Sequence, residues 1–329
     1  MAMTRTLGRS GIAVSALGMG TWAIGGAMRA GDQPLGYGVA NDEEATRAIR
    51  RAFDLGVTLF DTANVYGCGH AERVLGAALA KVRDQVVIAT KWGMTFDEDT
   101  AEVLQNDGTP AQVRPSLEGS LRRLATDHVD VFQFHINEYP ASMVEDLVAI
   151  CEDLIDEGLI RTYGWSTDSV GSAEAFARGP RCSIVQHDLN VFTDNQPMLD
   201  LCARLDLASL NRLPLAMGLL SDKITAETRF AADTVRGTAP DWLTMFADGR
   251  PVPAFLAKRH AVREILTSGG RTVAQGALAY LWSRSERTIP LPGCRTVAQV
   301  EENTKAMAFG PLTNDQVREI RDILAATSG

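Results

Sequence analysis

Residues 57–91, VTLFDTANVYGCGHAERVLGAALAKVRDQVVIATK, carry two kinds of pattern in turn. A short apolar run over 57–60 gives way to a polar turn, then to an amphipathic stretch over 70–80, then to a second apolar run over 85–90. Short apolar runs bounded by turn residues read as buried strands, and the stretch between them has helical length. A strand, a helix and a strand in that order form the unit of a parallel sheet, because the helix is the crossover that lets neighbouring strands run the same way. Asp61 and Lys91 stand directly after the two runs.

The unit repeats in both directions. Upstream, residues 4–14 read as a hairpin around Gly8-Arg9-Ser10-Gly11, followed by a strand over 16–20 and a helix over 42–55. Asn41 is its predicted N-cap, with Glu44 three residues on and Gly56 past the last turn, and Ala45, Ile49 and Phe53 form its buried face. Downstream, a helix over 112–125 and a strand over 129–134 precede a long helix over 141–156 striped by Met143, Leu147, Ile150 and Leu154. Strand–helix pairs follow at 161–165 with 171–177 and at 183–187 with 197–204. A strand over 208–213, helices over 255–266 and 273–282, an eighth strand over 288–291 and two last helices over 298–306 and 314–324 complete the series. Eight alternations without a break in composition predict one (β/α)8 barrel domain over 1–329. The alternative, an open doubly wound sheet, calls for a glycine fingerprint after the first strand, and Gly18-Met19-Gly20-Thr21-Trp22 lacks its third glycine. Long connections over 92–111 and 221–253 follow strands, which puts them at the C-terminal face where barrel enzymes hold their sites.

Composition narrows the function classes. Apolar residues make up 45% and charged residues 22%, the proportions of an ordinary folded domain. A net charge of −9 repels nucleic acid and anionic membrane surfaces, so an anionic ligand needs a local cluster of cations. The five cysteines are scattered and form no metal-binding pair, which predicts free thiols and no metal. Residues 1–10 lack an apolar stretch of the signal-peptide kind, and no run is long enough to span a bilayer, so a cytoplasmic location is expected. Oligomeric state leaves no mark on the sequence.

Asp61, Tyr66, Lys91 and His135 all fall at or just beyond the ends of predicted strands two, three and four, so a barrel gathers them around one pocket. The chemistry that fits is carbonyl reduction: hydride arriving at the carbon leaves charge on the oxygen, and a proton donor must meet it. Free tyrosine, with a pKa of ~10, is a weak acid. A nearby ammonium is expected to lower that value, a carboxylate to keep the ammonium charged, and an imidazole to give a second hydrogen bond to the oxygen. The hydride has to come from a cofactor.

These residues resemble the aldo-keto reductase family. Phe60-Asp61-Thr62-Ala63-Asn64-Val65-Tyr66-Gly67, Ala89-Thr90-Lys91 and Phe134-His135 match that family's catalytic motifs in order, and the likeness runs from the hairpin to the last helix. It implies a (β/α)8 barrel closed at its base by the hairpin, NADPH as cofactor with NADH as the alternative, and a small carbonyl substrate. It further implies that Ser166, Thr167 and Gln186 hold the nicotinamide carboxamide, with Asn190 beside them and Thr167 in place of the usual Asn. Arg212 stands where many members place an aromatic ring against the nicotinamide, and Pro214, Leu215 and Gly218 belong to the loop that wraps the pyrophosphate. Gly293 and Cys294 would offer backbone N–H groups where a helix begins. Arg295 is the candidate for the 2′-phosphate, Glu302 and Asn303 for the adenine end, and Gln299 replaces an Arg of strongly NADPH-selective members. Trp22 and Trp92 are the expected pocket walls. The chain ends soon after its last helix, so an open pocket without a C-terminal substrate loop is expected. Two other readings fit part of the pattern: a regulatory partner protein that keeps the cofactor site without turnover, and a barrel lyase using Lys91 as a Schiff-base amine.

Overall fold

The computed structural model describes residues 3–327; the ends of the expected 1–329 domain lie outside the described residues. Eight parallel strands form one sheet in sequence order: β1 Gly18–Gly20, β2 Leu59–Asp61, β3 Val87–Trp92, β4 Val129–Phe134, β5 Ile160–Ser166, β6 Cys182–Asp188, β7 Ala208–Arg212 and β8 Thr288–Pro290. Gly20 bridges to Gly293, its N–H donating to the Pro292 carbonyl at 3.1 Å, and this pairing closes the sheet into the barrel. Such strands are covered on both faces, which is why they read as apolar runs rather than as alternations.

The helices are α1 Asp42–Asp54, α2 His70–Leu79, α3 Pro110–Leu124, α4 Glu145–Asp156, α5 Val170–Phe176, α6 Gln196–Leu205, α7 Pro253–Leu266, α8 Val273–Arg284, α9 Val297–Phe309 and α10 Asn314–Ala326. Helix α1 starts as its sequence predicts: Asn41 Oδ1 accepts from the Glu44 N–H at 3.0 Å, and Gly56 follows with φ +89°. Its buried stripe is Ala45, Ala48, Ile49 and Ala52. The long helix expected over 141–156 is broken. A 3-10 turn, Ala141–Met143, precedes α4, and Met143 is 56% exposed, so the stripe runs through Leu147, Cys151 and Leu154.

The N-terminal hairpin, Thr4–Thr6 with Ala13–Ser15, stoppers the barrel floor. Leu7, Ile12 and Val14 pack there among Leu59, Val87, Val131, Ile184, Leu210 and Ile289. Gly8 makes the close approach possible, since a Cβ there would lie 2.4 Å from the carbonyls of Ser183 and Asp206.

Three long connections cover the other mouth, one more than the sequence reading found. Residues 22–37 supply strands Arg29–Ala30 and Gln33–Pro34, which join Met94–Asp97 and Glu102–Asn106 in a four-stranded roof sheet. The connection after β7 is tied to that roof by Val235 N–H to the Gly36 carbonyl (2.8 Å) and by Gln33 Nε2 to Thr238 Oγ1 (2.6 Å). Helix α10 packs on α7 and α8, away from the mouth, so among the described residues the roof sheet covers the pocket and the C-terminal helix does not. No described helix is long and apolar enough to cross a membrane.

Candidate active site

Strand register brings the polar cluster together. Asp61 ends β2, Lys91 lies near the end of β3, Gln133 sits level with Lys91 on β4, and His135 follows directly. Lys91 is fully buried, and its Nζ donates to Asp61 Oδ2 at 2.6 Å, to the Thr62 carbonyl at 2.7 Å and to the Tyr66 hydroxyl at 3.4 Å. Asp61 Oδ1 accepts from Gln186 Nε2 (2.8 Å) and Gln133 Nε2 (3.2 Å), so the carboxylate that holds the ammonium is itself held. The Tyr66 ring stands edge-on to His135 at 5.9 Å and stacks with Trp22 at 6.0 Å. Tyr66 lies on a turn clamped by two crossing glycines: a Cβ on Gly67, at φ +58°, would sit 1.8 Å from the Gly25 carbonyl.

The electrostatics differ from the expectation at Tyr66. Burial pushes the phenol well above its ordinary value, the Asp61 carboxylate adds to this, and Arg212 opposes only in part. Burial lowers Lys91 against the pull of Asp61. Burial, then Lys91 and Arg212, hold His135 well below its ordinary value, so its imidazole is neutral at neutral pH, and its Nδ1 has no partner among the described residues.

The cluster opens into a cleft of about 910 Å³ that runs to β8. Asp61, Tyr66, His135, Trp22, Gln186, Arg212, Pro214, Leu215, Gly218, Gly293, Arg295, Gln299, Glu302 and Asn303 all line it. Arg212 is clamped by Asp188 Oδ1 at 2.8 Å and by Asp168, and donates to Ser166 Oγ at 3.1 Å. Burial works against the guanidinium, but the two carboxylates outweigh it and hold Arg212 above its ordinary value. Leu213, Ala216 and Met217 adopt left-handed backbone beside it, a strain of roughly 1–3 kcal/mol each that gathers at functional loops.

Several expectations need correction. Trp92 is no wall: it is 0% exposed and packs against Phe132 and Phe134, because its strand turns it toward the helical layer. Ser166 and Thr167 lie behind the cleft surface, and the Thr167 hydroxyl is committed to the Asn137 carbonyl at 2.6 Å. Asn190 closes its own turn, accepting from the N–H groups of Phe192 and Thr193. Cys294, expected to contribute its backbone N–H, has its side chain buried, where the thiol accepts from Asn303 Nδ2. Gln299 forms a capping box with Thr296 at the start of α9, where its carbonyl accepts from the N–H groups of Arg295 and Thr296; Glu44 takes the Val297 N–H. The Val297 and Gln299 N–H groups of that helix are therefore already satisfied. Sequence reasoning missed Met28, Leu35 and Tyr37 on the first connection and Lys223, Arg236 and Trp242 on the third. The length of residues 21–41 was the available signal for the first group.

A parallel barrel that presents a carboxylate, an ammonium, a phenol and an imidazole at the C-terminal ends of its strands defines a class of cofactor-dependent enzymes. The sequence model described as the Aldo/keto reductase family matches residues 16–325, and the chain belongs to that family. It is 29% identical over 326 residues to aldo-keto reductase YhdN of Bacillus subtilis, covering 97% of this chain and 92% of that one. Among solved structures it resembles the glycerol dehydrogenase AKR11B4 from Gluconobacter oxydans (29% identity, TM-score 0.80, 98% of this chain and 95% of that one). The fold is also that of an aldo-keto reductase from Klebsiella pneumoniae solved in complex with NADPH (23% identity, TM-score 0.70, 98% and 95% covered).

Proposed function

We propose that this chain is a single-domain NADPH-dependent reductase of small aldehydes or ketones, with Tyr66 as proton donor. The observation that carries the reading is Lys91 Nζ set between Asp61 Oδ2 at 2.6 Å and the Tyr66 hydroxyl at 3.4 Å, beside His135, at one end of a long cleft. The cleft fits a dinucleotide phosphate: in a chain of net charge −9, Lys223, Arg236 and Arg295 all face into it. Gln186 would hold the nicotinamide end, with Ser166 behind it bonded to Arg212; Arg212 would meet its face, and Arg295, Glu302 and Asn303 the adenosine end. When bound, the nicotinamide supplies the hydride.

The chain's own residues manage the proton. A phenol kept neutral by burial and Asp61 is a standing hydrogen-bond donor, and it is still a stronger acid than the alcohol being formed. As its proton leaves, the fixed ammonium at 3.4 Å meets the new phenolate charge without rearrangement. The neutral imidazole of His135 gives the second hydrogen bond. Asp61 holds Lys91 charged, which disfavours a nucleophilic amine. Asn106, Asn137 and Glu138 line the substrate side, and together with the glycerol dehydrogenase likeness they support hydroxylated, uncharged carbonyl compounds. Five unpaired cysteines among the described residues fit a reducing cytoplasm.

The test is a panel of aldehydes and ketones with NADPH and NADH, followed by loss of reduced-nicotinamide absorbance. Turnover that falls about 10²- to 10⁴-fold in Tyr66→Phe is expected. Tight NADPH binding with no turnover across the panel would instead favour the partner-protein reading, and borohydride trapping of substrate on Lys91 the lyase.

A further inference from the structure

A buried carboxylate outside the cleft stands behind Lys91. Glu72, in the first turn of α2, is 0% exposed. Its Oε1 accepts from Thr90 Oγ1 at 2.5 Å, and its Oε2 accepts from Arg123 Nε on α3 at 2.7 Å. Thr90 is the residue before Lys91, and successive side chains of a strand point to opposite faces. The end of β3 is therefore held from both sides, by Glu72 through Thr90 on the helical face and by Asp61 through Lys91 on the barrel face. Arg123 in turn donates to Glu98 Oε1 at 2.8 Å, and Arg73 pairs with the other oxygen of Glu98. Glu98 directly follows the roof strand Met94–Asp97, so one chain of charges runs from the roof to the strand that carries Lys91. Glycine makes room for it: a Cβ on Gly69, in the turn after Tyr66, would lie 2.5 Å from Arg123 Cδ. Packing alone does not account for this arrangement, because desolvation of a buried ion pair offsets most of its attraction.

We infer that Glu72 is a positioning residue for the Lys91 ammonium, fixing its strand through Thr90 and adding a second carboxylate to its surroundings, and that Arg123 and Glu98 carry this support to the roof over the cleft. The inference rests on the proposed role of Lys91 beside Tyr66. Five titratable or charged groups surround the ammonium: Asp61 and Tyr66 from β2 and the turn after it, His135 from the end of β4, Arg212 from β7 and Glu72 from α2. Burial lowers Lys91, Asp61 and then Glu72 favour its charged form, and Arg212 opposes them. The phenol and the imidazole are both held neutral. Glu72 is thus the one carboxylate acting on Lys91 from outside the barrel interior, and it does so without taking up a position in the cleft.

Titration of lysine 13Cε resonances on the full chain, beside the pH profile of kcat/KM, tests this with Glu72→Gln and Glu98→Gln. In Glu72→Gln the Lys91 titration and the alkaline limb of the profile are expected to move together to lower pH by roughly one unit, the low end for loss of a neighbouring opposite charge, with dinucleotide affinity kept. Glu98→Gln should leave the titration in place and raise KM by about 2- to 5-fold, the size of a partly exposed ion pair. An unchanged KM would overturn the link to the roof. A Glu72→Gln protein that loses stability while Lys91 titrates where it did would make Glu72 structural alone and overturn the inference. Should the amide beside Arg123 prevent folding, Glu72→Gln combined with Arg123→Gln removes both buried charges at once; the same downward direction is expected of it, and an unmoved Lys91 again overturns the inference. If Lys91 shifts as expected but the unaltered protein reduces no carbonyl compound, it is the functional reading that falls.

Discussion

Replacing Asp61 with asparagine keeps the shape of the side chain and removes its charge, in surroundings that leave the lysine beside it few other partners. The Lys91 ammonium is fully buried, and it would be left with the Thr62 carbonyl at 2.7 Å and the Tyr66 hydroxyl at 3.4 Å. The asparagine amide also has one acceptor where the carboxylate had two. Either Lys91 or the pair Gln133 and Gln186 then faces an N–H₂ group. Removing one partner of a buried ion pair costs about 3–5 kcal/mol. Lys91 has a way to escape part of that cost, since burial already holds it below its ordinary 10.5 and the lost carboxylate was what pulled it up. Its folded pKa lies below its unfolded one, so between the two the unfolded chain binds the extra proton and stability rises with pH. Urea unfolding of Asp61→Asn should therefore show a loss of about 3–5 kcal/mol near pH 6 that shrinks as pH approaches 10. A loss below about 1 kcal/mol near pH 6, or one that does not change with pH, would refute a charged buried lysine held by this carboxylate.

Three further outcomes are expected. With Tyr66 raised above 10 and His135 held below 6.5, neither should put a limb on kcat/KM for carbonyl reduction between pH 6.5 and 10; because burial lowers Lys91, an alkaline limb there is expected to come from the ammonium, and one kept in Lys91→Arg would mean a phenol that ionises early. Trp92→Ala should cost about 3–5 kcal/mol of stability through a core cavity while leaving KM near its original value, whereas Trp22→Ala should raise KM with little change in the unfolding midpoint; the reverse pattern would return Trp92 to the pocket wall. Gly67→Ala places a methyl group 1.8 Å from the Gly25 carbonyl at φ +58°, so kcat should fall with the displaced Tyr66 even where dinucleotide affinity, measured by fluorescence, is kept.

The barrel and the meeting of Asp61, Tyr66, Lys91 and His135 were legible because each rests on local rules. Strand runs and helical stripes are written in periods of the sequence, and Asp61, Lys91 and His135 follow such runs directly. What escaped depends on distance across the fold. Nothing near Trp92 in sequence reveals that Phe132 and Phe134 enclose it. The phenol's upward shift comes first from its burial and then from the Asp61 carboxylate beside it, and residue identities leave both open. Gln299 and Thr296 show the opposite failing: their capping box was readable from spacing, and assigning Gln299 to the cofactor hid it. Arg236 and Trp242 lie in an irregular stretch without periodicity, and only the folded roof brings them to the cleft; Trp242, 54% exposed, closes on Trp22 at 6.2 Å.

The hairpin plug at the barrel floor divides labour within the molecule. Leu7, Ile12 and Val14 hold one mouth shut while the polar cluster around Lys91 and the cleft occupy the other, with layers of packed side chains between them. Truncating a plug residue should therefore reduce how many molecules are active at a given temperature while each surviving molecule works at its original speed. Selection can tune durability at one pole and turnover at the other with little interference.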